Sequence, residues 1–568
     1  MSRILIRGGT LVDGTGASPR HADVLVEQGR VADVMPPGSG AVAAERIIEA
    51  SGLVVCPGFI DVHSHGDLIF TLPSETQREL LDGRIRQGIT TEIIGNCGLG
   101  VFPCTAKAAP VLESVVSWMT PPAAAGWADA SWSDLASYLS RLERNGVHVN
   151  VGALQPHGPL RIEAAGLARD LPAAGTGDSA ASMTRRLEEA LDAGAFGLST
   201  GLIYPPGIYT PTEELVSLAK TLSRRGGDSV FLASHIRGSS ETLLPAVAEL
   251  LEIGQRSGAR VQHSHSEAVG RRHWHKIDEV LAMEETARRS GVRIQFDMFP
   301  YTAAATMMIA IYPPWSLEGG VDRLLARLAD PATRAAIGDS IETTTPAWPP
   351  WTPDGWPHNL VRAVGWDLIT IGSVGSEKNR PFEGMSLGEL GRVAGKSPFE
   401  AISDLMIQEH GNVSQIIHGI SGEEAHEGGI ETLLGHPAGA VCTDANDFGK
   451  GKPHPAAYGA FPLVLGKYVR QRKLLPLSHA IHKMTGLPAE LLGLSDRGVV
   501  RRGAWADLVV FDPQTVGSEA SFHRPRVAAT GIRWVLINGE IVIEDDVLSD
   551  SPLKPARGPA GRVLRRGA

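Results

Sequence analysis

Cysteine is scarce: 568 residues contain only Cys56, Cys97, Cys104 and Cys442. That density excludes a disulfide framework, so these thiols read as buried side chains or metal ligands in a reducing compartment. An excess of basic residues is also lacking. With 53 Lys plus Arg against 63 Asp plus Glu, the formal net charge is −10, and no basic stripe offers a footprint for nucleic acid. The opening MSRILIRGGT has no apolar core of the signal-peptide kind. One stretch, 298–317, is free of charge over about the length of a membrane span, but Pro300, Pro313 and Pro314 interrupt it. It predicts a buried strand end and a pocket-lining loop. Together these absences predict a cytoplasmic protein without a membrane or nucleic-acid partner; a homo-oligomer is compatible with the composition.

What is present is enough apolar sequence, 43%, to bury a large core. Both ends of the chain are rich in short runs with period-two apolar positions and glycine punctuation, such as RILIRGGTLVDGTG near the start and IRWVLINGEIVIEDD near the end. Neither end is long enough for a good sandwich alone. They predict one small β-sandwich domain assembled from 1–56 and 487–568. Between them, over 57–486, short apolar runs alternate with helical stretches. The runs are GFIDVHSH, TTEIIGNC, VNVGALQPH, AFGLSTGL, VFLASHIR, RVQHSHSE, RIQFDMFPY and GAVCTDAN, eight in all. Eight strand–helix units predict a parallel (β/α)₈ barrel of the TIM type. A long excursion at about 302–438 separates the seventh run from the eighth, far beyond the usual connection. It reads either as a packed subdomain or as a lid over the barrel mouth.

Active sites of such barrels lie at the C-terminal ends of the strands. Those ends carry His63 and His65 after the first run, then Cys97, His157, His235, His265 and Asp444. Any one of them alone would be an ordinary core residue. So many ligand-type side chains at matching positions point instead to a metal centre. Imidazole, thiolate and carboxylate together favour Zn²⁺, although iron and manganese accept the same donors. Asp444 is the candidate that takes a proton from water and passes it to a leaving amine.

Longer motifs carry a resemblance: PGFIDVHSH at 57–65, GNCG at 95–98, SHIR at 234–237, SHSEAVG at 264–270, FDMFPY at 296–301, TDAND at 443–447 and KPHPAAYGAFPLVLGKY at 452–468. The chain resembles the amidohydrolase superfamily and, within it, the D-aminoacylase (N-acyl-D-amino-acid deacylase) branch. In that branch a cysteine replaces the carboxylated lysine of many binuclear members, and AFGLSTGL contains no lysine. The resemblance implies a tight zinc held by Cys97, His235 and His265, with His63 and His65 defining a second, weaker site. It makes Asp444 the general acid/base, with a metal role as well, and gives His157 and Tyr204 the task of orienting the amide carbonyl. The implied activity is hydrolysis of N-acyl-D-amino acids. Opening of a cyclic amide, as in a hydantoinase, dihydropyrimidinase or lactamase, is the alternative, and a non-catalytic scaffold is a third reading that the complete ligand set opposes.

The departures concern substrate recognition. Arg237, Tyr301 and Glu267 are the residues expected to face substrate. Glu267 stands where the family often has a lysine for the substrate carboxylate, and Gly238 replaces an acid. An anionic substrate would then need another cation, for which Arg237, Lys378 and Arg380 are the candidates. Trp348, Trp351 and Trp356, with the 298–317 stretch, offer an apolar acyl pocket or ordinary packing.

Overall fold

The computed structural model describes residues 3–38, 43–130, 132–169, 178–348, 355–544 and 558–567. Its first element, Ile4–Leu11, opens with three buried apolar residues, Ile4, Leu5 and Ile6, and organises the terminal sheet. The first half of this strand pairs in parallel with Arg46–Glu49, and its end pairs in parallel with Val54–Pro57. A register irregularity between Ile6 and Gly9 separates the halves, the bend that lets one strand serve two layers. Sheet order continues from Val54–Pro57 into Leu508–Phe511, Ile532–Ile537 and Glu540–Ile543 from the other end of the chain. Ile4, Ile6, Val24, Val26, Leu508, Val510 and Leu536 form its buried core. Sequence-distant ends thus share one β-sandwich.

The last described residues depart from the expected division. Rather than joining the sandwich, 558–567 run along the barrel, where Val563 bridges Val151 and the Val151 N–H donates to the Arg562 carbonyl at 2.9 Å. The Arg562 guanidinium lies 4.1 Å from the Trp505 ring, and that of Arg30 lies at the same distance, each a favourable cation–π placement. Asn538 links the three parts, donating to Asn150 Oδ1 and to the Ala560 carbonyl at 2.8 Å each.

The barrel follows the eight runs. Its strands are Phe59–Asp61, Ile89–Ile94, Asn150–Ala153 continued by Gln155–Pro156, Gly197–Gly201, Phe231–His235, Arg260–His263, Ile294–Met298 and Gly439–Val441. All neighbouring pairs are parallel. A parallel bridge between Ser64 and Ala445 completes the ring. These strands are short and almost wholly buried because helices cover them outside and side chains fill them inside. The intervening helices are bounded by local signals. Leu135–Asn145 starts at a capping box formed by Asp134 and Ser137 and stops at Gly146, whose φ is 73°. Among the described residues no helix is long and apolar enough to cross a membrane.

Within the excursion, Ala303–Met307, Val413–His418 and Ile369–Val374 form an antiparallel sheet with Val413–His418 in the centre. Part of the charge-free 298–317 stretch is therefore a strand rather than a loop. Backbone bonds join the excursion to the barrel mouth: Ser421 N–H donates to the Ala268 carbonyl at 2.8 Å, and Gly270 N–H to that of Gly419 at 2.9 Å.

Candidate metal centre

Closure of the barrel sets the first ligands. Asp61, at the end of the first strand, accepts the backbone N–H of His63 at 3.3 Å and that of Thr443 at 3.1 Å. The Asp444 N–H donates to the His63 carbonyl at 3.0 Å and the His65 N–H to that of Ala445 at 3.1 Å. His63, His65 and Asp444 are thereby fixed together.

Cys97 is placed by close backbone packing. A Cβ on Gly201 would lie 1.9 Å from the Cys97 carbonyl oxygen, and one on Gly98 would lie 2.5 Å from the Gly201 nitrogen. The glycines of GNCG and STG are what let these two loops touch. Cys97, His265 and Asp444 all have positive φ, at 52°, 35° and 50°. Backbone conformations that L residues avoid are thus concentrated at one site, as happens where side-chain direction matters more than local comfort.

The six side chains converge. Cys97 Sγ lies 3.2 Å from His63 Nε2, 3.5 Å from His265 Nε2 and 3.7 Å from His235 Nδ1. Asp444 Oδ1 lies 3.1 Å from His65 Nε2 and 3.5 Å from His63 Nε2. Three compact triads result: His63 with Cys97 and His265, His63 with His65 and Asp444, and, behind them, His63 with Asp297 and Cys442. They share His63. A thiolate with imidazoles and a carboxylate within this reach is the donor chemistry of zinc, so these residues fit that ion. His235 stands beside the first triad rather than within it.

Electrostatics holds the cluster in a charge-separated state. Burial alone would raise the Cys97 thiol, but His63, His235 and His265 carry it well below the usual range. For His65, burial opposes the charged form, yet Asp444 and Cys97 raise it to about 9. Asp444 is pushed up by burial and pulled down to about 2 by His63 and His65. Its carboxylate is therefore ionised at neutral pH and able to accept a proton. Burial, then Cys97, drives the Tyr204 hydroxyl well above its ordinary value, so Tyr204 is a proton-bearing donor; its oxygen is 2.7 Å from Thr306 Oγ1.

These groups open into one cavity at the barrel mouth. His65, Cys97, Tyr204, His235, His265, Glu267 and Asp444 line it, and the excursion contributes Ala304, Ala305, Thr306, His358, Leu360, Ile417 and Ile420. The excursion is thus a wall of the site. Burial raises Glu267 to about 7, with Asp444 and Cys97 adding to the effect and His265 opposing it.

Several expected residues lie elsewhere. His157 does not line this cavity: the chain turns at Pro156 into the helix His157–Ala165, and His157 Nε2 sits 2.8 Å from Glu214 Oε1. Arg237 is buried against Glu249 at 2.7 Å and donates to the Thr210 carbonyl, so its charge is engaged inside the protein. Tyr301 packs edge-on against His454 at 5.0 Å and lines a separate cavity with Phe522. Lys378 and Arg380 are exposed and do not line the metal cavity. Trp356 is buried and Trp348 half-buried, neither in the cavity wall, while Trp351 lies outside the described residues. The tryptophan that does line it is Trp118.

Asp297 and His358 were not singled out in the sequence. Asp297 Oδ1 accepts the His265 N–H at 2.7 Å and lies 3.2 Å from His63 Nδ1. A carboxylate at the end of the seventh run, level with the other ligands, was the available signal. His358, within a Trp- and Pro-rich stretch, had none.

Comparisons with known proteins agree with this geometry. A family model described as Amidohydrolase family matches residues 386–543. N-acyl-D-glutamate deacylase of Alcaligenes xylosoxydans xylosoxydans is 32% identical, covering 100% of this chain and 97% of the relative. D-aminoacylase of the same organism is 30% identical, covering 100% and 98%. The structure of N-acyl-D-glutamate deacylase from Bordetella bronchiseptica, complexed with zinc and a phosphonate mimic of the tetrahedral intermediate, superposes with a TM-score of 0.76 at 31% identity, covering 99% of each chain. The chain belongs to the amidohydrolase family, in the branch of the N-acyl-D-amino-acid deacylases.

Proposed function

We propose that this chain is a zinc-dependent hydrolase that cleaves the linear amide bond of N-acyl-D-amino acids to a carboxylate and a free D-amino acid. The observation that carries the reading is the Asp444 carboxylate set 3.1 Å from His65 Nε2 and 3.5 Å from His63 Nε2, beside Cys97 and His265. Full-length similarity to linear-amide deacylases favours it over the cyclic-amide alternative. Cys97, His235 and His265 would hold the tight ion, and His63 and His65 with Asp444 would make the second, weaker position. When bound, zinc supplies Lewis-acid polarisation of a carbonyl and makes water more acidic.

The chain's own groups account for the proton inventory. Asp444 takes a proton from the attacking water as the water oxygen bonds to the acyl carbon. It then delivers that proton to the amide nitrogen as the C–N bond breaks, leaving a neutral amine. Tyr204 donates a hydrogen bond to the oxygen of the tetrahedral carbon, where charge develops. The mostly apolar cavity wall excludes competing water. The four described cysteines are free and buried, which supports a reducing, cytoplasmic setting.

Zinc-loaded protein should release D-leucine from N-acetyl-D-leucine and leave hydantoins intact. Asp444→Asn should lose roughly three orders of magnitude in kcat while keeping its tight zinc. Undiminished turnover in that variant refutes the assignment.

A further inference from the structure

The cavity contains buried polar atoms that the protein does not satisfy. Glu267 Oε2 and both ring nitrogens of His358 have no hydrogen-bond partner among the described residues. Glu267 is 8% exposed and His358 5%. Leaving such atoms dry is unfavourable, more so for a charged group, unless something that enters the cavity satisfies them. Glu267 belongs to none of the compact triads and lines the cavity with that oxygen unused, which leaves it available as a recognition group.

Among the described residues no Lys or Arg lines this cavity, and Arg237 is engaged by Glu249. Ile203, Val269, Leu360, Ile417 and Ile420 form the apolar part of the wall, and His265, Cys97 and Asp444 stand on the metal-centre side of it. A carboxylate in such surroundings attracts a hydrogen-bonding cation and repels another carboxylate. His358, carried in by the excursion, adds an open acceptor to the same space.

Resting on amide hydrolysis at this centre, we propose that Glu267 is the recognition site for an alkylammonium group of the substrate. The same chemistry has two sources: the basic side chain of the released D-amino acid, or an amino group on the acyl part. The acidic amino acids named for the deacylase relatives are then the wrong charge for this chain.

The test is a panel of N-acetyl-D-lysine, glycyl-D-leucine, N-acetyl-D-leucine and N-acetyl-D-glutamate with the zinc-loaded full chain. At least one ammonium-bearing substrate should exceed N-acetyl-D-leucine in kcat/KM by roughly tenfold and N-acetyl-D-glutamate by roughly a hundredfold. N-acetyl-D-lysine as the favoured substrate places the ammonium in the side chain; glycyl-D-leucine places it in the acyl group. Glu267→Gln should shrink the preference over N-acetyl-D-leucine roughly tenfold, chiefly through KM, and Glu267→Lys should turn it toward N-acetyl-D-glutamate. Zinc content and Tm, measured on both variants, separate lost recognition from lost fold. Best hydrolysis of N-acetyl-D-leucine or N-acetyl-D-glutamate, or an unchanged ratio in Glu267→Gln, overturns the ammonium site and leaves amide hydrolysis standing. Hydrolysis of none of the four overturns both.

Discussion

Asp297 reaches His63 from behind, with its Oδ1 3.2 Å from His63 Nδ1, while the same oxygen accepts the backbone N–H of His265 at 2.7 Å. One carboxylate thus orients two candidate ligands, and a carboxylate behind an imidazole raises its basicity toward a cation. Asp297→Asn should therefore weaken zinc binding roughly 10–100-fold. Competition with a chromophoric chelator measures this directly, and unchanged affinity would remove Asp297 from the centre.

Gly201 and Cys97 are in contact through their backbones, and a Cβ at Gly201 would sit 1.9 Å from the Cys97 oxygen. Gly201→Ala should push the two loops apart, lowering Tm and zinc content together. Overpacking of this kind costs about 1–3 kcal/mol. Metal analysis beside calorimetry tests it; a variant that keeps full zinc and an unaltered Tm contradicts the packing argument.

The Arg237–Glu249 pair is buried, so removing one partner strands the other. Arg237→Met should lose roughly 3–5 kcal/mol in urea unfolding, and a second change, Glu249→Leu, should restore part of it. If the single change instead raises KM with stability intact, Arg237 is a substrate contact after all.

Glu241 gives an acid-side signature. Burial would raise its carboxyl, but His273 and Ser240 bring it down to about 2. A depressed folded value means stability that is full above the unfolded value of about 4.5 and is lost as pH falls toward 2. Glu241→Gln should be less stable at neutral pH, with the difference from the parent closing between about pH 4.5 and 2. A gap that persists below pH 2 excludes the carboxylate as its source.

Metal removal should lower stability because an ion that binds only the folded chain adds its binding free energy to folding. Each tenfold excess of free zinc over Kd contributes about 1.4 kcal/mol. Chelated protein should therefore show a lower Tm that rises again with added zinc, and a Tm insensitive to zinc would speak against a bound ion.

The barrel was legible because its strands repeat at regular intervals and end in unusual side chains. The six ligand-type residues could be singled out for the same reason, and the structure brings them together. His157 stood in the same pattern, but the chain begins a helix at that residue and gives its ring to Glu214. Arg237 looked available because sequence shows charge and not its partner; Glu249 is one helix away and decides the matter. Trp118 and His358 enter the cavity from irregular segments, where no periodicity reports which way a side chain faces.

The excursion that walls the cavity has a consequence for how such enzymes diversify. The ligand set lies at 63–265 and at Asp444, while seven residues of the wall, among them Thr306, His358 and Ile420, lie within 302–438. Substitutions in that block would reshape the wall while leaving every ligand side chain in place.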